Sequence, residues 1–507
     1  MALTLSAVRP PVSRPASRRW LATARWLSAL ALVAMGGVRR AQAAEVRTVA
    51  RTVGEGYMVR VPGPEQQLLT RRRLVQYVNL GVYDLLPPKD PGQFRRDHDD
   101  GQLRVITSMR LRHDFGTMTR RAVGSAQDLL ESLDGRQIDL LFGYLEGDNL
   151  AGHVDFRAGR QIEMSGLDFY VFDGGWLRVR TPAYVAAEAF GGLTVDGTAA
   201  FGFPTFELDG TQGTGADQVS SPVVGGALAT TDIRWLDARV AYRRTFTPAS
   251  MGRDLVDSDG TVGLAPAVDQ EIISATAALR LAKGKVSPFA AARVNLGTAR
   301  VDDISAGLWW SLTELHSLRA QYLRTIPAFD LDSIFNVFSV TPFEDIRAVY
   351  QVRPGPRWTL HTRFQGRVFR ADTTSELGTE PRDKTTFGGG GGAGAAYRRR
   401  RFSMRLDGFG LGGEGGTRAG GSADARTHLV YDRLALDTRA FGLYYRDDLV
   451  EDRRGYSLAL QAGGNLRLTH GVYLNVIGEQ LFSTFYRTAF RTLATLTVDW
   501  AFRGGRR

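Results

Sequence analysis

Arginine is the residue type in this chain whose spacing could do chemistry. In Arg357–Arg370, RWTLHTRFQGRVFR, the odd positions carry Arg357, Thr359, His361, Arg363, Gln365 and Arg367, and the even positions carry Trp358, Leu360, Thr362, Phe364, Gly366 and Val368. Period-two separation of cations from apolar residues is the mark of a strand with one wet and one apolar face. A guanidinium is planar, permanently charged and forked, so a row of them on a wet face binds or steers carboxylates and phosphates.

The pattern recurs. Ser457–Leu468 sets Leu458, Leu460, Leu466 and Leu468 against Ser457, Gln461, Asn465 and Arg467. Phe490–Phe502 sets Phe490, Ala494, Leu496, Val498, Trp500 and Phe502 against Arg491, Thr495, Thr497 and Asp499. If the apolar faces meet lipid, the inward cations include Arg157, Arg178, Arg180, Arg280, Arg293, Arg319, Arg363, Arg367, Arg405, Arg439, Arg467 and Arg491. The clearest inward acids are Asp155, Glu188, Asp437, Glu479 and Asp499. Two readings of the arginines stand side by side: a lining that concentrates anions, and a set of ion pairs that braces the wall.

The elements that must position these residues are long strands. No apolar run of about 18 residues exists in the body of the chain, so a membrane could be crossed only by a closed barrel. The strand-like segments predict an all-β fold, a single transmembrane antiparallel β-barrel of about 18 strands (16–20), with short periplasmic turns and long extracellular loops. Residues 1–43 read as a secretion signal, with the apolar run Trp26–Gly37 and the small-x-small site Ala41–Ala43. Residues 44–73 read as a short periplasmic N-terminal segment, 74–502 as the barrel and 503–507 as a basic tail. The leader holds seven arginines and no acid, so the formal charge of +11 falls to about +4 once it is removed. Nucleic-acid binding has no support at that charge. With no cysteine there are neither disulfides nor thiolate metal sites.

Other motifs are weaker. Phe387–Gly394, FGGGGGAG, lacks the strand, helix and Lys-Ser/Thr of a phosphate loop and reads as a plain loop. Asp97–Asp100 and Asp257–Gly260 are incomplete ligand sets, so no metal site and no cofactor is expected. His98, His113, His153, His316, His361, His428 and His470 are scattered and none lies in a nucleophile motif, which argues against an enzyme.

Asp155–Val179, DFRAGRQIEMSGLDFYVFDGGWLRV, resembles the central signature of the alginate-export type of outer-membrane barrel. The matching residues are Gly159, Arg160, Gln161, Phe172, Asp173, Gly174 and Arg178. The resemblance implies an 18-stranded, porin-like barrel with an electropositive lumen for an acidic polysaccharide, and it adds Arg160 to the lumen set. The strand pattern puts Arg160 on the face of Val154 and Phe156, so a lumen role for it requires a bulge near Gly159 or a place at the rim. The expected substrate-binding residues are therefore Arg157, Arg160, Arg178, Arg180, Arg293, Arg319, Arg363, Arg367 and Arg467.

The sequence thus leads to an outer-membrane channel exporting an acidic exopolysaccharide passively. An anion-preferring porin for small-solute uptake and a structural barrel anchoring a secretion, adhesion or motility complex are its rivals. Expected partners are the lipid bilayer and lipopolysaccharide, the outer-membrane assembly machinery through Phe490–Phe502, anionic polysaccharide or small anions, and a periplasmic export complex.

Overall fold

A computed structural model describes residues 45–60, 68–86, 101–117, 135–165, 167–195, 221–246, 255–256, 262–263, 268–297, 299–325, 343–370, 385–413, 416–430, 433–446, 454–484 and 488–503. The strands are β1 (Glu45–Arg60), β2 (Leu68–Tyr83), β3 (Gln102–Thr117), β4 (Gly135–Leu150), β5 (Val154–Ser165), β6 (Asp168–Arg180), β7 (Val185–Thr194), β8 (Pro222–Thr230) and β9 (Leu236–Phe246). A two-residue pair, β10 (Leu255–Val256) and β11 (Val262–Gly263), stands apart in a connection. Then come β12 (Val268–Leu279), β13 (Val286–Asn295), β14 (Arg300–Ser311), β15 (His316–Thr325), β16 (Phe343–Gly355), β17 (Trp358–Arg370) and β18 (Thr385–Arg399). The last are β19 (Phe402–Gly413), β20 (Thr417–Val430), β21 (Leu434–Arg446), β22 (Arg454–Thr469), β23 (Val472–Ser483) and β24 (Thr488–Arg503).

All but β10 and β11 form one 22-stranded antiparallel sheet. It closes on itself, because β1 pairs with β2 on one side and with β24 on the other, from Glu45↔Arg503 to Arg60↔Thr488. Closure leaves no edge, which is the condition for a sheet to lie in lipid. Both chain ends described here reach one rim, where the connections are two to six residues long except for residues 84–101. The other rim carries the long connections, including 118–134, 195–221, 247–267, 326–342 and 371–384. That asymmetry is the outer-membrane pattern, with the short-turn rim periplasmic.

The faces follow the ladder. Directly paired residues share a side, so the outward set runs through Leu458, Leu460 and Leu466 on β22 and Phe490, Leu496 and Trp500 on β24. Outward aromatics gather towards the two rims: Trp310, Tyr350, Trp358 and Trp500 on the short-turn side, Tyr444, Tyr456 and Phe490 on the other. On β24, Phe490 and Trp500 are ten positions apart, which at a strand rise of about 3.4 Å and a tilt of about 40° spans roughly 25 Å, the height of a bilayer's apolar band. The protein is a transmembrane β-barrel of the outer-membrane type.

The structure corrects four expectations. The strand count is 22, not about 18. Residues 44–73 are not a separate periplasmic segment, for β1 and the first part of β2 lie in the wall there. On β1 the inward positions include Val49 and Val53 and the outward ones Thr48 and Thr52, so polar and apolar residues mix on both faces and the period cancels. Phe387–Gly394 is the heart of β18 rather than a loop. Arg503 ends β24 rather than starting a tail. The leader and both Asp-rich motifs fall outside the described residues.

One hairpin departs from the cylinder. The β4–β5 ladder stops at Gly143↔Arg160 and the β6–β7 ladder at Phe172↔Thr194, yet β5 and β6 stay paired up to Ser165↔Asp168. The free tip leans into the barrel. Asp168 on β6 is reached by Arg243 on β9 at 2.8 and 3.0 Å, and the tip of β5 approaches β12. The bend runs along paired inward glycines, Gly159↔Gly174↔Gly192. A Cβ on Gly174 would lie 2.1 Å from the Gly191 carbonyl oxygen, one on Gly192 2.2 Å from that of Asp173, and one on Gly159 2.3 Å from that of Gly143. Gly159 also has φ of 129°, a conformation that other residues rarely adopt. A sheet that folds sharply towards one face crowds that face, and only glycine fits the crease.

Gly174→Val should cost the barrel about 1–3 kcal/mol by overpacking the crease, whereas Gly175→Ala, whose Cβ would meet nothing within 4 Å, should be neutral. Thermal midpoints and heat-modifiable gel migration of the two variants check this, and equal behaviour would rule the crease out.

Candidate functional site: the arginine-lined lumen

Under the folded hairpin lies a buried hydrophobic cluster. Phe172, Gln161 and Val223 are fully buried, and Tyr170, Phe172 and Phe190 form an aromatic cluster with centroids 5.5–5.7 Å apart. Gly225 opposite leaves space for the Phe190 ring, since a Cβ there would sit 2.1 Å from it. Around this apolar centre the charges interlock. Arg239 donates to Glu163 at 2.8 Å and to Glu188 at 2.6 Å, Arg157 donates to Glu163 at 3.1 Å, and Arg178 lies 3.9 Å from Glu188. Arg157 also covers the Trp176 ring at 4.3 Å and Arg243 the Tyr170 ring at 4.7 Å. Nearer the short-turn rim, Arg180 donates to both oxygens of Asp155 at 2.6 Å. Each carboxylate here is answered by at least one guanidinium, so the region is a neutralised brace.

Arg160 is not in the lumen. It pairs in register with Asp173 on the face of Val154, Phe156, Leu177 and Val179, and no bulge turns it inward. Its Nε and Nη2 donate to the two Asp173 oxygens at 2.7 Å each, and its Nη1 donates to the Leu140 carbonyl at 3.0 Å. That carbonyl lies where β4 has parted from β5, beside the irregularity at Ser108/Met109 in the β3–β4 register. The fork therefore closes the convex side of the crease that the glycines open on the concave side. Apolar pairs flank it above and below, Ile162↔Val171 and Phe156↔Leu177. Of the residues that carried the family resemblance, Gly159, Arg160, Gln161, Phe172, Asp173 and Gly174 are thus the parts of a bend, and Arg178 belongs to the brace.

The opposite wall, β15 to β22 in the closed ring, is built otherwise. Arg319 on β15, Arg363 on β17 and Arg467 on β22 face the lumen and have no carboxylate partner among the described residues. Arg363 crosses β18 to the Phe409 ring on β19, 5.5 Å away, and His361 crosses to Asp407 at 2.8 Å. The glycines of β18 make both crossings possible. A Cβ on Gly392 would lie 2.7 Å from the Arg363 Nε, and one on Gly394 2.5 Å from the His361 ring. Two lumen carboxylates on this wall each hold more than one basic group: Asp345 accepts from Arg347 and Arg367, and Asp407 from Arg405 besides His361. Arg293 is spent on Asp303 at 2.6 Å.

A third region was missed in the sequence. A cavity of about 960 Å³ near the short-turn rim is lined from β20–β24 and from β1 and β2. Its basic residues are Arg51, Arg426, His428, Arg433 and Arg467. Arg51 was hidden because β1 was not legible as a strand. Likewise Arg239 and Arg243 went unnoticed: Asp237, Arg239, Ala241 and Arg243 alternate with Ala238, Val240 and Tyr242, but Arg244 on the outer face breaks the period.

No protein-family model matches the chain, and no curated protein sequence does. Among solved structures, OccAB1 of Acinetobacter baumannii is similar at 10% identity and a TM-score of 0.41, covering 90% of this chain and 97% of that one. OccK7 (OpdD) of Pseudomonas aeruginosa stands at 11% and 0.41, covering 90% and 100%. A BenF-like porin from Pseudomonas fluorescens Pf-5 stands at 11% and 0.42, covering 91% and 98%. Likeness at this level carries no argument about solute or strand correspondence. The barrel rests on its own ladder.

Asp173→Leu strands the Arg160 guanidinium against apolar surroundings and should destabilise the barrel by about 2–4 kcal/mol. Replacing both residues by leucine should cost clearly less, because no bare charge remains. Denaturant titration in lipid vesicles measures the difference; a double variant as unstable as the single one would count against a charge-burial cost.

Proposed function

We propose that the protein is a passive outer-membrane channel that prefers small anionic solutes. The observation that carries this reading is the unpaired set Arg319, Arg363 and Arg467 on the wall facing the hairpin. The carboxylates of the brace are already neutralised, so the charge left to act on a passing solute is positive. In a confined, low-dielectric bore such fixed charge raises the local concentration of anions and lowers that of cations. The hairpin supports a small solute over a polymer, because it occupies part of a bore that 22 strands would otherwise leave very wide. Export of an acidic polysaccharide rested on Gly159–Gln161 and Phe172–Gly174, whose contacts are accounted for by the crease.

In planar bilayers under a potassium chloride gradient, the wild-type reversal potential should indicate chloride preference. Arg319→Gln with Arg363→Gln should move it towards zero, while Arg157→Gln, taken from the brace, should act chiefly on stability. A cation-selective wild type would overturn the proposal.

A further inference from the structure

The cavity near the short-turn rim differs from the rest of the lumen. No carboxylate is among the described residues that line it, while five basic side chains are. Arg426 is shared with Asp437 at 3.6 Å, and Arg467 meets only the His470 ring, 3.2 Å away. Arg51 and Arg433 engage no carboxylate among the described residues. The remaining polar lining is neutral: Tyr77 and Asn79 on β2, Asn465 and Asn475 on β22 and β23, and Thr495 and Thr497 on β24. Asn475 donates to the Asn465 side-chain oxygen Oδ1 at 2.5 Å, and the Asn465 amide donates in turn to Asp437, so the two amides are held in fixed orientation. Tyr473 adds an exposed ring beside them.

We infer that this cavity is a binding station for a polyhydroxylated monocarboxylate, a solute with one anionic group and several hydroxyls. The inference rests on the channel reading only for how the solute arrives. The unpaired guanidiniums of Arg51 and Arg467 take the carboxylate, as forked donors do. The amides and hydroxyls opposite supply fixed donors and acceptors for the hydroxyl groups, which a bare inorganic anion cannot use. The volume suits a small ligand rather than a polymer segment. Position matters too: a solute held here stands at the periplasmic mouth, away from the brace under the hairpin.

The test uses the full chain, purified in detergent, with D-gluconate and acetate as probes in calorimetric titration, and the same protein in planar bilayers. Gluconate is expected to bind at least about tenfold more tightly than acetate. Arg51→Gln with Arg467→Gln should weaken gluconate about tenfold or more. Asn475→Asp, which keeps the size and adds a repelling charge, should weaken gluconate as well; both variants are first checked for heat-modifiable folding. Equal binding of gluconate and acetate would overturn the solute class. Gluconate binding untouched by Arg51→Gln with Arg467→Gln and by Asn475→Asp would overturn the site. Gluconate binding that depends on these residues in a protein that passes no current would support the site and overturn the channel reading.

Discussion

Everything in this molecule depends on the requirement that a sheet in lipid leave no backbone group unpaired. The β1–β24 ladder meets it around the ring, and register then decides which side chains see lipid and which see water. The folded hairpin is the place where the requirement is strained, because β5 leaves β4 and β6 leaves β7 before their ends. The carbonyl of Leu140, beside that parting, is taken by Arg160, and Arg160 is itself neutralised by Asp173. A charged pair on an apolar face is costly in general. Here it serves a backbone carbonyl beside the place where β4 and β5 part.

The same hairpin divides the lumen into two electrostatic regions. Beneath it, arginines and acids from β5, β6, β7 and β9 lock to one another around Tyr170, Phe172 and Phe190. Their charge is used up holding the hairpin down. Across the bore, glycines on β18 let Arg363 and His361 lie flat over a neighbouring strand, so that wall stays smooth and retains unpaired cations. The arrangement separates bracing from solute contact, and the choice between them was the question left open by the row of arginines in Arg357–Arg370.

Much of the fold was legible because a half-wet wall writes itself as period two. Trp358–Val368, Ser457–Leu468 and Phe490–Phe502 lie on the faces that their alternation implies. Where both faces carry mixed residues, as in β1, or where side chains vanish altogether, as in the glycines of β18, the period has nothing to act on. Those glycines exist for contacts with strands distant in sequence, and no local pattern encodes such contacts.

The residues alone therefore determined an all-β membrane wall with an arginine-rich inner face, because alternation depends only on neighbours along the strand. Only the closed structure decided which of those arginines remain available. Pairing is set by partners such as Arg239 and Glu163, 76 positions apart, and by the inward fold that brings them together. Arg160 is the clearest case: its type suggested a ligand contact, and its place across from Asp173 on the outer face makes it a tie in the wall.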